Sequence, residues 1–152
     1  MPTSVSELLA KHPLFGTLSD AHRQVMAEHA EVVSPEAGHY LLIAGKEADC
    51  FYVIESGALM IEQATSDGET TNIEQLGVNE IVGWSWLIAP YQWQFDALVV
   101  QPGRFWRFDG PALRAACAKD PAFGFELALR VTHTLVHRLQ NTRIRLVEET
   151  AI

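Results

Sequence analysis

His133 and His137 stand four residues apart in "HTLVHRLQ", a spacing that puts two imidazoles on one face of a helix, where they can clasp a metal ion. No third ligand is recognisable beside them, so the plainer reading is a pair of solvated helix-face histidines. A metal site in a small barrel needs His and Glu clustered on adjacent strands, and the strand-rich middle of the chain offers only His39. No Gly-x-Ser-x-Gly elbow, Cys/His pair or P-loop occurs. These absences argue against catalysis. What remains is "EIVGWSWLIAPYQWQFDALVV", residues 80–100, which carries Trp84, Trp86 and Trp93, three of the four tryptophans, with Tyr91 and Phe95 and without one Lys or Arg. Aromatic faces in that density do one of two things. They fill a cavity with their own side chains, or they line a pocket for a flat, neutral or cationic ligand, with Glu80 and Asp96 at hand.

Charge sharpens the choice. The net charge is −8, and no Lys or Arg falls between Lys46 and Arg104, an interval holding nine carboxylates: Glu47, Asp49, Glu55, Glu62, Asp67, Glu69, Glu74, Glu80 and Asp96. From Arg104 onward eight Lys and Arg face five Asp and Glu, a mild excess spread along helices. That is not the dense basic stripe that phosphate backbones select, so nucleic acid is not expected as a partner.

The elements that must position these residues come in three blocks of one domain, 1–34, 35–109 and 110–152. At 152 residues and 48% hydrophobic, the chain has room for one core. "SVSELLAKHPLF" and "LSDAHRQVMAEHAEVV" read as two short helices, the second capped by Ser19, with Val25, Met26, His29 and Val32 at helical spacing. From Pro35 the texture changes to short apolar runs ("HYLLIAG", "CFYVIESG", "ALMIEQ", "TNIEQLG", "IVG", "DALVVQPG", "RFWRFDG") punctuated by glycines and the Asp67-Gly68 pair, which predicts a closed or sandwiched β unit. Past Pro111 comes a short helix, then about 28 residues from Pro121 without another Pro or a terminating Gly.

Read together, "HPLFGTLSD", "AGHYLLIAGKEADCFYVIESGALMIEQ", "LGVNEIVGWSW" and "HTLVHRLQ" resemble the cyclic nucleotide-binding domain family, whose bacterial members include catabolite activator proteins. The resemblance covers nearly the whole chain. It implies a mainly β fold with flanking helices: a β-roll (double-stranded β-helix or jelly roll) between N-terminal helices and a long C-terminal helix. A cupin-like metalloenzyme, also a small barrel, is the enzymatic alternative, and the lone His39 stands against it.

The resemblance also implies a phosphate-binding cassette after the sixth strand: a Gly, a Glu for the ribose hydroxyl, a short helix whose N-terminal amides meet the cyclic phosphate, and an Arg about ten residues on. Here the Gly is Gly83, the Glu position holds Trp84, and the Arg position falls on Trp93 or Gln94. Both defining side chains are absent. Outside the cation-free interval, only Arg104, Arg107 or an arginine of the long helix could reach the pocket. Helix amides contribute about 0.3–1 kcal/mol to an anion, whereas an uncompensated buried charge costs several kcal/mol. A cyclic nucleotide is therefore disfavoured as ligand, and binding through unusual contacts is the alternative. The candidate pocket is Val82, Gly83, Trp84, Ser85, Trp86, Trp93 and Gln94, with Ser85 ordinarily a helix cap. No cofactor is expected.

The long helix carries a second expectation. Steps of four and three give Phe125, Leu129, Thr132, Val136, Leu139, Arg143 and Leu146, a mostly apolar seam of coiled-coil type, while Leu127, Val131 and Leu135 form a stripe on another face that can cover the roll. Two apolar faces predict a parallel homodimer through this helix. Family members that regulate transcription carry a helix-turn-helix domain beyond it, and this sequence ends at Ile152. The expected protein is thus a non-catalytic sensor or regulatory module acting on a small molecule or a protein partner. Neither a signal peptide nor a membrane span is legible, and Cys50 and Cys117 lack metal spacing, so a reduced, cytoplasmic protein is expected.

Overall fold

The computed structural model describes residues 3–150. Helix α1 (Val5–Lys11), a 3-10 turn (Phe15–Thr17) and α2 (Asp20–Ala27) precede eight strands: β1 (Ala30–Val33), β2 (Tyr40–Leu42), β3 (Cys50–Ile54), β4 (Ala58–Ala64), β5 (Thr70–Leu76), β6 (Ile81–Val82), β7 (Asp96–Gln101) and β8 (Phe105–Asp109). Then come α3 (Gly110–Lys119) and α4 (Pro121–Thr150). The strands form two four-stranded antiparallel sheets, ordered β1-β8-β3-β6 and β2-β7-β4-β5. This is the expected roll between helices.

One boundary is corrected. The helical reading of "LSDAHRQVMAEHAEVV" extends into β1, and the block of N-terminal helices does not reach residue 34. Ser19 caps α2 as expected, its hydroxyl accepting from His22 N at 3.2 Å. The helix stops at Ala27, because the β-branched Val32 and Val33 pair with Trp106 and Phe105 of β8. Register with a partner strand outweighs helical spacing.

The core follows from β3, whose five residues are all buried. Phe51 stacks on Phe108 at 4.8 Å and on Trp86 at 5.0 Å, with Phe15 of the N-terminal turn at 6.3 Å. Burial pushes the Cys50 thiol up to about 11, which leaves it an inert packing group. Gly57 is required where it stands: φ is +96°, and a Cβ would meet Gln101 O at 2.7 Å. Among the described residues no helix is long and apolar enough to cross a membrane.

His12 ties the N-terminal helices to the roll. Its Nε2 donates to Asn79 O at 2.7 Å, and its Nδ1 accepts from Leu14 N at 3.1 Å and Phe15 N at 3.3 Å. Burial lowers its pKa, more than the Asn79 bond and the charge of Glu80 raise it. The folded protein then binds fewer protons than the unfolded chain below the ordinary value of about 6.5. His12 thus contributes stability that is present above that value and lost as pH falls through the window beneath it. Urea midpoints should fall between about pH 7 and pH 5, and His12→Gln should flatten that dependence; an unchanged slope in the variant would assign it to other groups.

Candidate functional site

Strand β6 stops at Val82, and the next residue, Gly83, turns the chain away from the sheet with a φ of +95°. A Cβ there would meet Trp93 Cζ3 at 2.7 Å and Cη2 at 2.8 Å, so the Trp93 indole lies against the bare Cα of Gly83. Trp93 is 4% exposed. Its backbone is clamped to the β2–β3 connection, Trp93 N donating to Lys46 O at 3.0 Å and Gly45 N to Trp93 O at 2.9 Å.

Between Gly83 and Trp93 the expected short helix is absent. Residues 84–87 make a single turn, Leu87 N to Trp84 O at 3.1 Å, followed by a cis Ala89-Pro90 peptide and Tyr91 at φ +57°. With no helix there is no row of N-terminal amides for an anion, and Ser85, buried, caps nothing of the kind. A second, separate turn follows, Tyr91 N to Ile88 O at 3.0 Å, and proline and the positive-φ residue keep the two from joining into a helix.

The three indoles take different directions. Trp86 is fully buried on Phe51, and its carbonyl accepts from the Arg114 guanidinium, which lies 4.1 Å over the Tyr91 ring. Trp93 fills the space over Gly83. Trp84 leans on Phe95 at 5.0 Å and faces α4.

That face borders a groove of about 390 Å³ between roll and long helix. Ile61, Gln63, Ile73, Glu74, Trp84, Gln94 and Phe95 line it from the roll, and Leu135, Arg138, Leu139 and Thr142 from α4. Of the seven residues expected to form one pocket, only Trp84 and Gln94 border it; Val82, Ser85, Trp86 and Trp93 are buried elsewhere, and Gly83 lies under Trp93.

Arg138 is the residue that sequence reasoning did not single out. It is 7% exposed, and its Nη2 donates to Ile81 O while lying 3.6 Å from Glu80 Oε2. Its Nε lies 3.9 Å from Glu74 Oε1, and its guanidinium 5.8 Å from the Trp84 ring. Burial lowers its pKa against the raising charges of Glu80 and Glu74, yet a guanidinium stays protonated at any working pH. The available signal was its place on the roll-facing stripe after Leu127, Val131 and Leu135, where a charge demands partners. Arg104 and Arg107, the two cations outside the long helix that the sequence offered, are committed elsewhere. Arg104 pairs with Glu55 at 2.6 Å, and Arg107 lies 3.4 Å from Asp49 and 3.7 Å from Glu31. Asp96 accepts from Ala44 N at 2.7 Å, which takes it out of the groove. His133 and His137 border a separate groove beside His12, whose ring nitrogens are both engaged.

The family model for the cyclic nucleotide-binding domain matches residues 32–120. The chain belongs to that family. Within the cyclic nucleotide-binding family it is similar to a CRP-like cAMP-activated global transcriptional regulator of Mycobacterium tuberculosis, 23% identical over 144 residues that cover 95% of this chain and 62% of the relative. The chain thus spans about three fifths of the curated relatives it matches. Among solved structures it resembles a cyclic nucleotide-binding domain from Methylobacillus flagellatus, with TM-score 0.81 and 20% identity over 97% of this chain and 83% of the other. It also resembles the Thermus thermophilus catabolite activator protein, with TM-score 0.69 and 19% identity over 88% of this chain and 61% of the other. At such identities the likeness is one of fold.

Proposed function

We propose that this domain is a non-catalytic sensing module whose cassette does not hold a cyclic phosphate, which takes its ligand in the groove between roll and α4, and which works as a homodimer through α4. The observation that carries the reading is the Trp93 indole seated on Gly83, in a segment with neither a helix nor a cation. A phosphate there would displace an indole and remain buried without a counter-charge, at a cost of several kcal/mol. Arg138 does not relieve this, being shared among Glu80, Glu74 and a carbonyl.

A second reading keeps cAMP as the ligand, held through Arg138, and rests on the cAMP-activated relative. Thermal melting separates the two. A ligand at a hundred times its Kd stabilises by about 2.7 kcal/mol, roughly 5–10 °C for a domain of this size. No shift beyond the scatter of replicate melts is expected with micromolar cAMP or cGMP, and a shift of several degrees would establish the second reading.

A further inference from the structure

Three of the six histidines line one groove of about 270 Å³, where the N-terminal segment, the β5–β6 turn and α4 come together. His12 is the C-cap of α1, and His133 and His137 stand opposite it on α4. The other charged residues of the lining are Glu80 and Arg138, 3.6 Å apart. Histidine is the side chain whose charge ordinarily changes between about pH 8 and 5, so mild acid acts on this joint from two sides at once.

His12 does its work only while neutral. Its Nε2–H is spent on Asn79 O, so Nδ1 carries the lone pair that accepts from Leu14 N and Phe15 N. A second proton, on Nδ1, turns that acceptor into a donor aimed at two N–H groups. The ring is 4% exposed and 4.8 Å from Phe15, so water reaches the new charge only when the joint opens. Burial disfavours the charged ring more than the Asn79 bond and Glu80 favour it. The 3-10 turn that depends on Nδ1 is held from its other side by Arg130 of α4, whose Nε donates to Leu14 O at 3.4 Å and Nη2 to Thr17 Oγ1 at 2.7 Å, with Glu126 as its ion-pair partner. The surroundings add to the effect. At neutral pH Arg138 faces Glu80 and the groove is balanced, whereas three imidazolium groups add three positive charges against that one carboxylate, and Lys11, next to His12 in the chain, is exposed.

We propose that this joint is an acid-released latch: protonation of His12, with His133 and His137 charging opposite it, loosens α1 and the 3-10 turn from the β5–β6 turn and from α4 while the roll stays folded. The device is independent of any ligand in the groove at Trp84, and it gives the domain a second input, the proton. Its sign follows from the geometry, since the closed joint holds a lone pair where the open one accepts a proton, so acid favours the open form.

Residue-resolved hydrogen exchange between about pH 7.5 and 5 tests this on the wild-type protein. The reporters are the amides of Phe15, Gly16 and Leu18, bonded to His12 Nδ1, His12 O and Phe15 O. A proton taken up on opening raises the opening constant by up to about tenfold per pH unit, so their protection, corrected for the intrinsic rate, should fall at least about fivefold while the β3 amides keep theirs. The His12 ring nitrogens should show the neutral Nε2–H tautomer at the upper end and gain a proton over the same range. His12→Asn keeps an acceptor for the two amides but cannot titrate, and its protection should stay level. His133→Gln with His137→Gln, at two exposed positions, should lessen the fall without abolishing it. Unchanged protection in the wild type, or equal loss from β3, overturns the latch, as does a His12 that stays neutral while the turn opens. An equal fall in His12→Asn overturns the assignment to His12, and an undiminished fall in the double variant overturns the part given to α4. If His12→Asn is unprotected at every pH, the wild-type ring resonances decide alone.

Discussion

Replacing Val136 and Leu139 with glutamate is expected to convert a dimer into a monomer at tens of micromolar protein. Helix α4 has 30 residues, hence a length of about 45 Å, more than the roll can cover. Phe123, Leu127 and Val131 are buried against the domain. On another face Phe125 is 62% and Val136 48% exposed, and Leu129, Leu139 and Leu146 are similarly open, with Ile144 and Val147 beside them. Scattered exposed hydrophobics need no explanation, but a stripe at alternating steps of four and three is the pattern that a second helix buries. Thr132 and Arg143 are the polar positions of this seam, and both are exposed. In such a pair Arg143 would keep its charge in water by extending to the rim. Two carboxylates per chain at the centre of the seam would place four like charges in an apolar contact, a cost of several kcal/mol that exceeds what the remaining leucines supply. Light scattering should give twice the chain mass for the wild type and the chain mass for the variant, with unchanged circular dichroism. Because Leu139 also borders the groove, Leu129→Glu with Val136→Glu is the cleaner pair, and it should behave the same way. A monomeric wild type refutes the dimer, and a variant that stays dimeric puts the interface elsewhere.

How far the fold was legible depends on periodicity. The strands from β2 to β8 each coincide with a short apolar run between turn residues, because a glycine or an Asp-Gly pair stops a strand for local reasons. Helix α4 was legible for the converse reason, the lack of any stop over its length. β1 was misread because "AEVV" continues the spacing of α2, and nothing local reports that β8 lies beside it. Within the site, the missing cations were plain in the sequence. The directions of Trp84, Trp86 and Trp93 were not, since a loop with positive φ at Gly83 and Tyr91 has no period from which to count faces. Arg138 was obscured by distance along the chain, its partners Glu74, Glu80 and Ile81 lying on other elements.

Trp93→Ala is expected to be strongly destabilising, and its consequences test whether the indole is a plug or a wall. The ring is buried, touches the face of Gly83 and lies near Leu42, whose Cδ1 is 3.7 Å from where a Gly83 Cβ would stand. Removing a buried Trp side chain costs about 3–5 kcal/mol, and at roughly 2–4 °C per kcal/mol for a domain of this size the melting temperature should fall by some 6–20 °C. The backbone clamps at Lys46 and Gly45 do not involve the side chain, so the loop should keep its course and leave a cavity rather than collapse. An apolar cavity of that kind takes up a matching apolar molecule, so millimolar indole should restore part of the lost stability in Trp93→Ala and do nothing comparable to the wild type. cAMP should remain without effect on the variant, because emptying the space supplies no cation; a response should require Trp84→Glu and Gln94→Arg in addition. If Trp93→Ala alone gained a cAMP-dependent shift, steric filling rather than missing charge would be what excludes the nucleotide. If instead the variant melted within about 2 °C of the wild type, a change worth less than roughly 1 kcal/mol, Trp93 would not be filling the cassette at all.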